Sequence, residues 1–313
     1  MLGKTAGGLY WMFRFLERAE NVARLIEAGF RIALTRSTDP ESEWKSVIVT
    51  SAAQPAYEAK HVGYDSSQVV EFLLRDADNP SSVLSVIKSA RDNARLVRTA
   101  LTSEVWSAVN ETWMLLKDVL SQPIPETDLP EVLATIRHQS ALVRGALHGT
   151  MMRNDAYDFC QLGTLIERAD STLRIIDVKY YALLPSPSLV GSRIDNVQWE
   201  TILRSVSAYR SYRSAVDDGY TPAGVARYLI LDRRMPRSLA FCASMIKDSL
   251  SLLSEKYQEE RPSFEMACAL DARLLGRDIG AIFDEGLHEF SGSMQNDIAA
   301  LGFQIEQDYR FNK

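Results

Sequence analysis

The sequence predicts an all-α protein, a helical bundle built from two tandem, pseudo-twofold-related repeats that share one core. Three observations predict it. Apolar residues recur at steps of three and four, whereas the alternating apolar and polar runs that mark strands are scarce. Capping residues followed by proline punctuate the chain at helix-length intervals. The stretch from Trp11 to Glu27 returns in mid-chain without a gap: with Glu17 set on Glu167, an offset of 150, Glu-Arg-Ala-Glu becomes Glu-Arg-Ala-Asp, Arg24 falls on Arg174 and Glu27 on Asp177. The chain therefore reads as one domain over 1–313, with a first repeat at 1–150 and a second at 151–313.

Taken in order, helices are expected at about 5–36, 40–60, 66–76, 80–102, 104–120 and 129–150 in the first half. The second half follows with about 154–183, 196–214, 222–232, 236–257, 263–275 and 279–310. Six of the eleven prolines, Pro40, Pro80, Pro130, Pro222, Pro236 and Pro262, stand where a first helical turn would begin, Pro40 behind Asp39, Pro80 behind Asn79 and Pro222 behind Thr221. Pro123, Pro125, Pro185 and Pro187 mark loops, and Pro55 should kink or end the second helix. The last helix carries a bundle-facing stripe of Phe283, Leu287, Phe290, Met294, Ile298, Leu301 and Ile305.

The duplication extends past the opening helix. Trp44 and Tyr57 share their spacing with Trp199 and Tyr212 at an offset of 155, and Phe72–Val83 meets Tyr228–Leu239 at 156, setting Asp76 on Asp232, Pro80 on Pro236 and Ser82 on Ser238. The drift from 150 to 156 is the signature of loop insertions between helices that keep their register.

Wound at about 100° per residue, the first helix gathers Trp11, Met12, Phe15, Leu16, Ala19, Val22, Ala23, Leu25, Ile26 and Phe30 into one broad apolar arc. Arg18 lies inside that arc, Arg14 and Asn21 at its border, and Glu17, Glu20 and Arg24 on the opposite side. A guanidinium on a buried face must be paired, because stranding such a charge costs about 3–5 kcal/mol. Glu17 points a quarter turn away from Arg18, so the partner comes from another helix. The economical arrangement is reciprocal, Arg18 with Glu167 and Arg168 with Glu17. These charges read either as structural ion pairs that dock the halves or, with Asp170 and Arg174, as the lining of a polar cleft for an amino-acid or peptide-like ligand, arginines taking carboxylates and acids taking amines.

Composition narrows the function classes. With 46% hydrophobic and 24% charged residues the chain is an ordinary globular protein, and a net charge of −6 argues against sequence-independent nucleic-acid binding. No apolar run approaches bilayer length, and Cys160, Cys242 and Cys268 show no metal or disulfide spacing, so a cytoplasmic, reducing setting is expected, with no membrane association. No metal or other cofactor is expected. The carboxylates lack the Glu-x-x-His companions of a di-metal bundle, since none of His61, His138, His148 and His288 is so placed. Asp217 and Asp218 form a lone acidic pair, not a DDxxD motif. No GxSxG, GxxxxGK[ST] or post-strand GxGxxG occurs.

Two further candidates remain. In Arg233–Ser238, Arg237 and Ser238 precede a helix whose free amides offer an anion site, with simple capping as the alternative. Arg91, Arg95 and Arg98 recur at helical spacing ahead of Glu104, Trp106 and Asn110. They read as a salt-bridged face, or Arg95 and Glu104 complete the polar centre around Arg18.

Together WMFRFLERAEN, NPSS followed by ARDNARLVR, SEVWSAVN, LGTLIERAD and MPRS resemble the Alpha-E family of bacterial all-helical proteins, named for its Glu-Arg motif, over essentially the whole chain. Phe13 stands where the family typically has glycine, its counterpart Gly163 retains one, and Asp92 replaces a typical glutamate. The resemblance implies partners, since such proteins are typically encoded with or fused to circularly permuted ATP-grasp ligases and transglutaminase-like proteins. The expectation is a non-catalytic helical partner of such a ligase in an amide-forming or peptide-processing system. The alternatives are an enzyme with Glu17 and Glu167 as acid and base, and a purely structural assembly protein.

Overall fold

The computed structural model describes residues 1–35, 40–182, 193–216 and 219–312. Arg36, Asp39, Leu183, Pro185, Pro187, Asp217 and Asp218, on which some expectations rest, lie outside them. Fifteen α-helices occur among the described residues, and no strand. The first seven are α1 Gly3–Thr35, α2 Pro40–Thr50, α3 Gln54–Glu58, α4 Ser66–Leu74, α5 Val83–Leu96, α6 Ser103–Val119 and α7 Leu129–Thr150. Then come α8 Asp155–Ala182, α9 Arg193–Ser205, α10 Tyr209–Ala215, α11 Pro222–Leu231, α12 Leu239–Tyr257, α13 Pro262–Leu274, α14 Ile279–Glu285 and α15 Leu287–Asp308.

The two long helices α1 and α8 pack on each other and form the axis of the molecule. Around α1 lie α5, α7, α2 and α9, and around α8 lie α12, α15 and again α2 and α9. Buried side chains from Ala6 to Phe311 form one apolar cluster. Its burial supplies the main drive for folding, at about 25 cal/mol per Å² of apolar surface.

α1 departs from the expected one-sided helix. Its apolar arc is buried or half-buried, but the polar side is no less so: Glu17 is 1% exposed, Glu20 0% and Arg24 9%. Arg18, placed inside the arc, is the more exposed residue, with 27% of its side chain in solvent. A helix wrapped on every side keeps its polar stripe indoors, and that stripe must find its counter-charges there.

Helix boundaries differ from expectation where the chain turns without an obvious breaker. The expected helix 40–60 is divided into α2 and α3 around Ala52 (φ 58°), and the expected helix 196–214 into α9 and α10 around Ser207 (φ 57°). Pro55 occupies the first turn of α3 instead of kinking α2. The expected last helix breaks at Gly286 (φ 100°) into α14 and α15, which resets the register and leaves Phe283 exposed while Leu287 to Ile305 keep the buried stripe. Pro80 and Pro236 sit ahead of their helices. Ser82 and Ser238 are the N-caps of α5 and α12, accepting from Ser85 N at 3.3 Å and Phe241 N at 3.0 Å. α5 also stops early, at Leu96, and a 3-10 turn follows at Arg98–Ala100.

The axial crossing depends on Gly163 of α8. A Cβ there would overlap the carbonyl oxygen of Tyr10 in α1, so a side chain at this position would push the two helices apart.

Candidate functional site

Two clusters of charge lie where α1 meets α8. Each Glu-Arg dipeptide projects its two side chains about 100° apart around its own helix, so neither residue can satisfy the other. Each reaches across the crossing. Arg168 donates from Nε and Nη2 to the two oxygens of Glu17 at 3.0 and 3.1 Å. Arg18 donates from Nε to Glu167 Oε1 at 2.6 Å and from Nη2 to Oε2 at 2.9 Å. Both are fork-to-fork pairs, the strongest geometry available to arginine and carboxylate.

Around Glu17 the cluster is closed. Arg237 reaches Glu17 Oε1 at 3.0 Å, Glu20 Oε1 at 2.7 Å and Asn21 Oδ1 at 3.0 Å. Arg144 of α7 pairs with Glu20 and lies 3.3 Å from Glu17 Oε2. Arg24 donates to Glu20 at 2.9 and 2.6 Å and ties down the turn after α9 through Ser205 O at 3.1 Å and Ser207 Oγ at 2.6 Å. The fourth guanidinium, Arg168, also donates to Pro236 O at 3.2 Å.

Around Glu167 the cluster is lighter. Among the described residues Glu167 pairs with Arg18 and Arg14, the latter by Nε at 3.1 Å and Nη2 at 3.0 Å. Arg174 is bonded to Asp170 at 2.7 Å. Arg18, Asn21, Ser81, Asp170 and Arg174 line a cleft of about 180 Å³ that the 50–53 turn also borders.

The electrostatics follow from burial and pairing. Burial works to raise Glu17, but Arg168, Arg237 and Arg144 outweigh it and hold its carboxyl far below the ordinary carboxylate range. Glu20 and Glu167 are likewise lowered against the opposing effect of burial, Glu20 by Arg237, Arg144 and Arg24 and Glu167 by Arg18 and Arg14. Burial pulls Arg237 down to about 10, with neighbouring Arg168 and Arg24 adding to the effect and Glu17 and Glu20 opposing it. Glu17, Glu20, Glu167 and Arg237 are ionised at neutral pH. The three depressed carboxyls contribute stability that is present above their ordinary value of 4.5 and is lost as pH falls through their lower folded values. Thermal melts should show the midpoint dropping from below about pH 4.5. The drop should be shallower in a Glu17→Gln variant, which lacks one of the three groups.

The predicted residues are thus brought together in part. Arg14, Glu17, Arg18, Glu20, Asn21, Arg24, Glu167, Arg168, Asp170 and Arg174 all lie at the two clusters. Arg95 and Glu104 do not: both are exposed on α5 and α6, and Glu104 accepts a hydrogen bond from Ser103. Their run is a local helix face, with Arg91 donating to Asn110 at 2.9 Å and Arg98 over the Trp106 ring at 5.2 Å. The anion site at Arg237 and Ser238 is also corrected. Ser238 is fully buried as a cap, and the Arg237 guanidinium turns inward to Glu17 and Glu20.

Arg144 was missed in the sequence, although a signal existed. Arg137 and Arg144 stand seven residues apart on α7, the spacing of Glu20 and Glu27 on α1, and Arg137 pairs with Glu27 as Arg144 does with Glu20. No three of the histidine, cysteine, aspartate and glutamate side chains converge as metal ligands among the described residues. No helix among them is long and apolar enough to cross a membrane.

The Alpha-E family model, described as a predicted alpha-helical domain with a conserved ER motif, matches residues 1–309. An uncharacterized protein of Mycobacterium bovis is 24% identical over 299 residues, covering 87% of this chain and 32% of the relative. Two uncharacterized proteins of Mycobacterium tuberculosis are 24% and 23% identical over the same coverage. The chain spans about a third of the length of these curated relatives. No solved structure matches.

Proposed function

The chain belongs to the Alpha-E family, and on that footing we propose that it is a non-catalytic helical partner of a circularly permuted ATP-grasp ligase, holding an amino-acid or peptide substrate for amide formation. The observation that carries the non-catalytic half is the state of the two motif glutamates. A general acid or base needs a pKa near the working pH and an oxygen free to face the substrate. Glu17 and Glu167 have neither: both are held ionised and low, and each is gripped on both oxygens by arginine. They suit a docking role better than acid–base chemistry. The ligase and transglutaminase-like partners rest on the family's habitual gene neighbours.

Two tandem halves about a pseudo-twofold axis are the proposed framework for this role, and several paired features support it. The left-handed residues Ala52 and Ser207 stand at the offset of 155. Tyr57 stacks on Tyr64 at 5.3 Å and meets Phe72 edge-on at 5.2 Å, while Tyr212 stacks on Tyr220 at 5.8 Å and meets Tyr228 at 5.4 Å. The caps Asp65 and Thr221, and again Ser82 and Ser238, occupy matching places. The cleft beside Glu167 favours substrate holding over a purely structural assembly protein, which needs no polar opening.

Co-expression with the co-encoded ATP-grasp protein tests the proposal. The two should co-purify, the ligase should form its amide product faster with this chain present, and Glu17→Gln, at a temperature where it stays folded, should leave turnover in the complex largely intact. Retained association with abolished turnover would instead make Glu17 part of the chemistry, and absence of association would remove the partnership.

A further inference from the structure

Of the positions at which the equated halves differ around the two charged clusters, two bear on the space beside Glu167. Arg237 fills the space over Glu17, and its counterpart at the offset of 156 is Ser81. Ser207 supplies a hydroxyl to Arg24, and its counterpart at 155 is Ala52. An arginine side chain and a hydroxyl are thereby missing from one cluster, and the cleft of about 180 Å³ stands in their place.

Their absence leaves donors without acceptors. Arg174, the counterpart of Arg24, spends Nε on Asp170, and its two terminal nitrogens carry no hydrogen bond among the described residues. Arg18 gives Nε and Nη2 to Glu167, and its Nη1 has only a long contact of 3.5 Å to Ser81 Oγ. Asn21, on the wall between the two clusters, has its Oδ1 fixed by Arg237, which leaves its buried Nδ2 with no partner. Arg14, which also bonds Glu167, is shared with Glu306 of α15, so the free donors of the cleft are those of Arg18 and Arg174 beside Glu167 and Asp170.

Resting on the substrate-holding part of the function proposed above, we infer that this cleft binds the α-carboxylate of an amino acid or of a peptide C-terminus, between Arg174 and Arg18. A planar carboxylate matches the free edge of a guanidinium. A phosphate dianion would be repelled more strongly by Glu167 and Asp170. The cleft, of about 180 Å³, is large enough for a terminal residue. Asp170 stands beside the carboxylate position to take the ammonium of a free amino acid.

Isothermal titration of the isolated chain, with no ligase present, tests the cleft apart from the partnership. The probes are alanine, alanyl-alanine and alanyl-alanine amide. Saturable binding is expected for at least one of the two acids, with the amide, and the acid against Arg174→Ala, weaker by roughly tenfold or more. Binding of alanine alone identifies a free amino acid as the source of the carboxylate, and binding of the dipeptide alone a peptide terminus. Ser81→Arg, which imitates the closed cluster, should abolish binding while the thermal midpoint is unchanged or higher. Equal binding of acid and amide, no saturable binding of either acid, or full binding by Ser81→Arg would overturn the inference.

Discussion

Glu17→Ala is expected to destabilise the protein by about 3–5 kcal/mol, the cost of leaving buried charge without its partner. Glu17 is 1% exposed, and its two oxygens face Arg168, Arg237 and Arg144. With it gone, four guanidiniums including Arg24 would share Glu20 alone, in a region with almost no water to screen them. Burial makes the loss larger than that of a surface salt bridge, for which about 0–1 kcal/mol is usual. Urea denaturation followed by circular dichroism measures it. As a comparison, Glu200→Ala removes a partly exposed pair with Arg204 and should shift the midpoint little. Equal shifts for the two variants would show that the motif charges are not the internal clamp described here.

Gly163→Ala is the second large effect, expected at about 1–3 kcal/mol from overpacking. The added methyl would meet the Tyr10 carbonyl oxygen, and backbone cannot rotate away as a flexible side chain does. Relief requires α1 and α8 to separate, and that movement would lengthen both Glu-Arg bridges. Gly145→Ala in α7 provides the opposite sign. Nothing lies within 4 Å of its Cβ position, and removing a helix-interior glycine should stabilise by roughly 0.5–1 kcal/mol. A thermal-melt comparison of the two alanine variants decides the point: a neutral Gly163→Ala would mean that the crossing is not close-packed at that glycine.

The sequence revealed the helices because their apolar spacing and caps are local properties. Thr221 is recognisable as a cap by residue type and position alone, whereas Ser82 and Ser238 take the capping place two residues beyond Pro80 and Pro236, where the helices are expected to begin. The breaks at Ala52 and Ser207 could not be recognised, since neither residue advertises a left-handed backbone as glycine does, and only the tertiary packing of α2, α3, α9 and α10 imposes it. Gly286 does advertise such a break, inside the apolar stripe from Phe283 to Ile305 that reads as one helix. The burial of Glu17 and Glu20 escaped for a different reason. Reading one helix in isolation assigns its polar side to water, whereas α1 has neighbours on every side. The motif glutamates and arginines could be found from the repeat, but Arg144 and the true place of Arg237 belong to other elements: the seven-residue spacing that Glu20 and Glu27 share with Arg137 and Arg144 hints at the first, and nothing in the α1 pattern points to the second. Ser81 and Ala52 carry meaning only beside Arg237 and Ser207, once the space between them is known.

The most direct measurement of the central claim, that the two Glu-Arg motifs clasp one another across the α1–α8 crossing, is a double-mutant cycle on Glu17 and Arg168. Unfolding free energies of Glu17→Ala, Arg168→Ala and the double variant should give a coupling of about 1–3 kcal/mol, the range for residues that share an ion-pair network. Additivity within about 0.5 kcal/mol would contradict the clasp and leave the duplicated motif without the structural role assigned to it.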